Sequence, residues 1–275
     1  MLLDMALLRN NFSLLRLTIL ALITLFHHGI HSAYGEGLTV EFHRKDATLG
    51  VMKLIGNTPA MKFTKSGLVI RKKPKIPKLW AGTASQFWVA GDFEITGHFE
   101  INESLCPPTE GYGTGVSLQV AVDVKGERQK FLLGQYLLPE SAGTVYLASI
   151  RRNPKKPPSN IRKRLDVVQT TGWLRLVRKG NSLKFEVSSD GVEFEEIHTT
   201  KFSADQTTGI RFVVDTGKST ASQSVFKKLD VNADRLGFGS TKPQGGAYAW
   251  NAWWGALIVS IPLVAGSILY VWRRG

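Results

Sequence analysis

Between Glu36 and Ala233 apolar and polar residues alternate in short runs, and a 3.6-residue period is almost absent. The runs predict strands at Leu38–His43, Leu68–Arg71, Asp92–Ile101, Val116–Val124, Lys130–Leu137, Thr144–Ile150, Trp173–Arg178, Leu183–Ser188, Gly209–Val214 and Val225–Val231. In Leu174-Arg-Leu-Val-Arg178 and Leu183-Lys-Phe-Glu-Val187 the alternation is clean, so each strand buries one face and solvates the other. In Phe93–Ile101 Gly97 interrupts it. Lys179-Gly180-Asn181 and Ser189-Asp190-Gly191 separate strands at hairpin distance, with residues that tolerate positive φ. Many antiparallel strands without intervening helices imply an all-β, two-sheet antiparallel jelly-roll sandwich. Trp173 is expected to fill the space between its sheets.

The two ends read differently. Arg9 and Arg16 precede the apolar run Leu17–Phe26, and Ser32-Ala33-Tyr34-Gly35 then offers small residues. Residues 1–35 are expected to be a signal peptide cut before Glu36, an uncleaved signal anchor being the alternative. His27, His28 and His31 belong to that segment and are assigned no role. From Ala252 to Trp272 there is no charge, about the 20 residues that span a bilayer. Residues 250–272 are expected to form one transmembrane helix. Trp250, Trp253 and Trp254 would anchor one interface and Tyr270 and Trp272 the other, and Arg273 and Arg274 would hold the 273–275 tail in the cytoplasm. A buried core helix and a cleaved sorting signal are the alternatives. The sandwich then occupies 36–235 outside the cytoplasm, with a flexible linker at 236–249.

Composition narrows the partners. The chain carries a net +13; the leader accounts for +1 and the tail for +2, leaving +10 on the exported part. Such a surface suits polyanions: acidic polysaccharide, lipid headgroups or phosphate-rich envelope polymers. On that side of the membrane nucleic acid is not an expected partner. The single cysteine, Cys106, precedes two prolines and is expected to be an unpaired loop thiol.

Gly172-Trp-Leu-Arg-Leu-Val-Arg-Lys-Gly-Asn-Ser-Leu-Lys-Phe-Glu-Val-Ser-Ser-Asp-Gly191 with Val192–Ile197 resembles a hairpin of concanavalin A-like lectin/glucanase jelly rolls. The likeness is strongest to non-catalytic modules of exported bacterial proteins of unknown function. Asp92–Ile95 looks like the opening strand of such domains and Phe226–Val231 like the closing one. The resemblance implies the jelly roll. It leaves activity open, because this superfold hosts enzymes, lectins and scaffolds.

Catalytic members of that superfold use carboxylates spaced Glu-x-Asp-x-x-Glu, two of them roughly 5–9 Å apart across the glycosidic bond. No segment has this spacing. Glu193, Glu195 and Glu196 come nearest, with Glu193 and Glu195 on one strand face, and a solvated strand edge explains them. Asp92, Glu94 and Glu100 read as an outward polar face. His43, His98 and His198 lack ligand spacing, so neither zinc nor any cofactor is expected. Asp190 and Asp205 could serve a structural calcium, but no motif spaces them.

Two proline-containing basic stretches remain, Arg71–Lys78 and Arg151–Arg164, each a loop or edge segment. In the second, Arg151, Arg152, Lys155, Lys156, Arg162, Lys163 and Arg164 are candidates to clamp an anionic glycan, arginines as forks and lysines as point charges. The competing reading is a solvated edge that blocks aggregation. Trp80, Trp88 and Tyr112 are the candidate sugar-stacking platforms, with Tyr136 as a further one; each also fits the core. The expected function is thus a membrane-anchored, non-catalytic domain that binds extracytoplasmic glycan or scaffolds the envelope. The alternatives are a glycan hydrolase with relocated carboxylates and a protein-interaction subunit of an envelope complex.

Overall fold

The computed structural model describes residues 35–73, 79–104, 114–138, 143–153, 155–164, 170–216 and 221–239. The expected leader (save Gly35), Cys106, Tyr112 and the expected span at 250–272 lie outside them. Among the described residues no helix is long and apolar enough to cross a membrane.

In chain order the elements are β1 (Glu36–Glu41), α1 (Lys45–Val51), β2 (Met52–Gly56), β3 (Met61–Thr64) and β4 (Gly67–Lys72). They continue with β5 (Trp80–Ser85), β6 (Phe87–Ser104), β7 (Thr114–Val124), β8 (Glu127–Leu137), β9 (Thr144–Arg151) and β10 (Ser159–Arg164). The last are β11 (Thr171–Lys179), β12 (Ser182–Ser188), β13 (Glu195–Lys201), β14 (Thr207–Asp215) and β15 (Ser222–Phe238). All pairings are antiparallel, in two sheets. The eight-stranded sheet runs β13-β12-β11-β6-β15-β4-β3, with β1 also on β15; the seven-stranded sheet runs β10-β9-β8-β7-β14-β5-β2. This is the expected two-sheet sandwich.

The sheets meet through period-2 faces. From the eight-stranded sheet Leu174, Leu176, Leu183, Phe185, Ile95 and Phe99 point inward, each fully buried. From the seven-stranded sheet Val116, Leu118, Val120, Leu133 and Phe212 meet them. Phe212 stacks on Phe226 across the gap, centroids 4.0 Å apart, and Phe42 tilts against both. The Phe212 ring explains the break at Gly97: a Cβ there would lie 3.0 Å from the ring, so the strand leaves the position empty.

Trp173 departs from expectation. It lies on the outer face of the eight-stranded sheet, because Leu174 and Leu176 take the inward parity and leave Trp173 and Arg175 outside. It stacks on His98, centroids 4.1 Å apart and nearly parallel. Gly191, at φ +79°, packs under the indole, where an added Cβ would lie 2.8 Å from the ring. β15 also runs on through Leu236, Gly237 and Phe238, residues expected in the linker. They stay in the sheet because they pair with Val89, Trp88 and Phe87 of β6.

His98 gives a pH test. Burial first, then Lys227 and Lys228, holds its imidazole below the usual 6.5, with Glu100 and Asp230 opposing. The folded chain therefore resists a proton that the unfolded chain accepts. Stability should fall as pH drops through 6.5 toward the lower folded value, and His98→Phe, which keeps a ring against Trp173, should flatten that decline. Thermal midpoints of both proteins between about pH 8 and pH 5 check this.

Candidate functional site

The two outer faces treat charge differently. On the eight-stranded sheet four cations are compensated: Arg175 holds Glu186 at 2.7 Å, Lys184 holds Glu196, Lys227 holds Glu100 and Lys228 holds Asp230. On the seven-stranded sheet, strand register builds the opposite. The hairpin β7–β8 turns at Lys125-Gly126, both at positive φ, as a two-residue hairpin turn requires. That turn fixes Lys130 opposite Ala121 and Arg128 opposite Asp123. β9 then sets Arg151 directly opposite Lys130. β14 lies on the other side of β7 and sets Arg211 opposite Gln119.

These four cations share one outer face, and among the described residues none makes an ion pair. The acidity of Lys130 and Arg211 is shifted by this setting. Burial, then Arg211, Arg128 and Arg151, pulls the Lys130 ammonium down from its usual value. Burial, then Arg128, does the same to Arg211. Like charges held together are costly unless an anion joins them. Beside them Gln119 donates to Ser117 at 3.1 Å, and Ser149 lies opposite Leu132.

The same face carries the aromatic component. Trp80 opposite Asp215, then Gly115, Tyr136 and Val145, forms one row across β5, β14, β7, β8 and β9. The Arg211 guanidinium lies 5.9 Å from the Trp80 ring centroid, at the outer limit of a cation–π contact. Trp80 is partly exposed, whereas Tyr136 is 2% exposed and packs with Leu138, Val145 and Leu147. Tyr136 therefore belongs to a wall more than to a platform.

The structure divides the candidates read from sequence. Arg151 and Arg162 are exposed, and the register of β10 on β9 puts Arg162 opposite the outward Leu147. Arg164 ends β10 opposite Val145. Lys155 and Lys156 are exposed in the β9–β10 connection, where Asn153 accepts both of their backbone amides. Lys163 has the other parity: it pairs with Glu195 of β13 and ties the two sheet edges together. Arg152 is a second tie, donating to the Thr200 hydroxyl at 2.6 Å and the Lys201 carbonyl at 3.2 Å. Trp88 is on the eight-stranded sheet, over Gly237, so it cannot share a platform with Trp80. Sequence reading missed Arg128, Lys130, Arg211 and Gln119; the Lys125-Gly126 turn was the signal that would have fixed the register of Arg128, Lys130 and Gln119, whereas Arg211 is placed by the pairing of β14 with β7.

Carboxylates do not converge here. Glu193 precedes β13 in a turn whose amides bond the Asp190 carboxylate, so it does not share a strand face with Glu195. Two carboxylates, Asp123 and Asp215, fall on this outer face among the described residues. Asp215 is opposite Gly115, eight residues along β7 from Asp123, about 27 Å at the rise of a strand. A glycosidase pair spans at most about 9.5 Å. Among the described residues no group of three His, Cys, Asp or Glu could hold a metal ion.

Solved structures share this architecture. A legume lectin-like domain from Entamoeba histolytica is 11% identical, covers 71% of this chain and 96% of its own, and superposes with a TM-score of 0.53. The VIP36 exoplasmic/lumenal domain in its Ca2+/Man2-bound form is 11% identical, covering 78% and 94%, with a TM-score of 0.50. The β-glucanase of Bacillus licheniformis is 11% identical, covering 72% and 98%, with a TM-score of 0.50. The shared property is the concanavalin A-like jelly roll. No curated protein sequence matches the chain. A family model described as "protein of unknown function (DUF1583) C domain" matches residues 32–249, and the chain belongs to that family.

Proposed function

We propose that this chain is a non-catalytic, extracytoplasmic glycan-binding domain, held at the membrane by its C-terminal segment, that takes an acidic polymer across the outer face of the seven-stranded sheet. The observation that carries the reading is the cluster Arg128, Lys130, Arg151 and Arg211, gathered on one face by register, with no ion pair to any of them among the described residues. An anionic chain crossing the strands would meet Arg151 and Lys130 first, then Arg211 and the Trp80 ring. Arginine forks would take carboxylate or sulfate oxygens two at a time. Trp80 would offer its face to a sugar ring.

The lectin-like domains among the structural neighbours support carbohydrate as the ligand class. The roughly 27 Å between Asp123 and Asp215 supports binding without hydrolysis. The uncharged stretch from Ala252 to Trp272 and the terminal Arg273-Arg274 support a single-pass anchor with its C-terminus inside.

The test uses the full-length chain in a nonionic detergent, with polygalacturonate, hyaluronan and heparin as acidic probes and dextran as the neutral one. Acidic polymers should bind and dextran should not. Raising salt from about 0.1 M to 1 M shrinks the Debye length from about 10 Å to about 3 Å, so binding should weaken steeply. Equal binding of dextran, or indifference to salt, would remove the basis for the reading.

A further inference from the structure

We propose that one end of the sandwich holds a second site, lined among the described residues by uncharged side chains, for a single neutral sugar ring. A cavity of about 250 Å³ opens there between the two sheets. β6 and β15 supply one side, β7, β8 and β9 the other. This inference does not rest on the cationic face.

The lining selects the ligand. Thr114, Gln135, Thr144, Ser222 and Ser224 line the cavity, each no more than 5% exposed. Among the described residues no lining side chain carries charge, so an ionic ligand would find no counter-charge from them and would lose its hydration. An apolar ligand would cover hydroxyl groups without bonding them. The Ser222 hydroxyl makes this concrete: it is 1% exposed and has no hydrogen-bond partner in the protein. Buried polar groups of this kind are satisfied by something else. Ile101 and Leu137 add apolar wall, suited to the C–H face of a ring. Asn102 and Thr170, both exposed, stand at the rim.

Size narrows it further. Sites for drug-sized ligands run to about 300–1,000 Å³, and this one falls just below them. A compact ring bearing several hydroxyls fits; an oligosaccharide would have to leave all but one unit outside. The other occupant of suitable chemistry is water, about eight molecules at roughly 30 Å³ each.

Methyl glycosides of glucose, galactose, mannose and N-acetylglucosamine would be titrated into the full-length chain, with saturation-transfer NMR as the readout. At least one should bind with a dissociation constant of about 1 mM, unchanged by added salt. Ser222→Ala should weaken it about tenfold, the worth of one good hydrogen bond, without lowering the melting temperature. Ser224→Leu should fill the space and abolish it. A water-filled cavity would transfer saturation to none of the four, and that result overturns the proposal. So does binding that both variants leave intact. Salt-sensitive binding of these neutral probes would also overturn it, by placing them on the cationic face.

Discussion

Phe212→Ala should cost about 3–5 kcal/mol of stability, the range for deleting a buried phenylalanine. Phe212 is fully buried, stacks on Phe226 of the opposite sheet at 4.0 Å, and lies 6.2 Å from Phe42. It is also the ring that β6 makes room for at Gly97. Truncation would therefore open a void against both sheets, and the backbone of β6 has no side chain at Gly97 to fall into it. Phe212→Leu keeps most of the volume and should cost much less. The inverse change, Gly97→Val, presses a branched side chain against the ring and should cost about 1–3 kcal/mol. Denaturant melts of the three variants check this. A loss below about 1 kcal/mol for Phe212→Ala would mean that the sheets close over the gap and that the stack is not what holds them together.

Reversing three charges, Lys130→Glu with Arg151→Glu and Arg211→Glu, should reduce acidic-polymer affinity at least a hundredfold. Each exposed ionic contact is worth about 0.2–1 kcal/mol, and reversal turns each attraction into a repulsion, so three positions reach about 3 kcal/mol. The paired cations of the other sheet give the control: Lys227→Gln should leave binding unchanged. Stability should move in the opposite direction at the site itself. Lys130 stands exposed beside three like charges, Arg211, Arg128 and Arg151. Lys130→Gln removes that repulsion and should raise the melting temperature while weakening binding. A site kept for function shows this opposition, because the cluster is an electrostatic burden on the empty protein. If Lys130→Gln lowers both quantities, the lysine is a structural residue and the proposed face is wrong.

The sandwich was legible wherever burial is one-sided. β11 and β12 follow from Leu174, Leu176, Leu183 and Phe185 at every second position. β5, by contrast, reads Trp-Ala-Gly-Thr-Ala-Ser and is covered on both faces along most of its length, so it presents no alternation. β2, β3 and β13 are short edge or near-edge strands with partly exposed residues. β10 hid within a proline-containing basic stretch whose edge character was legible but whose pairing was not. Trp173 was misplaced by treating tryptophan as core by type; the leucines on either side of Arg175 already set the parity against it.

The site was half legible for a related reason. Runs of charge announce themselves, so Arg151 and Arg162 stood out. Lys130 and Arg211 are single cations in different strands, eighty-one positions apart, and meet only through register. Arg152 and Lys163 looked equivalent to their neighbours, yet one-residue parity turned them toward β13. Composition counts charges, whereas the pleat decides which side they reach.

β15 has consequences for how the chain comes together. Among the described residues it is the last strand in sequence, and it is an interior strand of its sheet. β6 pairs along one side of it, and β4 and β1 share the other. Glu36 is opposite Ala233, so the first strand waits for nearly the whole domain to be synthesised before it has a neighbour. Contacts this distant make folding slow, because a long loop must close before any of them forms. As the chain is made, β6, β11, β12 and β13 can pair with one another and β3 with β4, but β1 and the β3–β4 hairpin have nothing to join to the rest of their sheet until β15 is complete. A chain stopped before Ser222 would leave that sheet split, with β13-β12-β11-β6 on one side and β1 and β3–β4 detached on the other, which makes β15 a checkpoint for completeness.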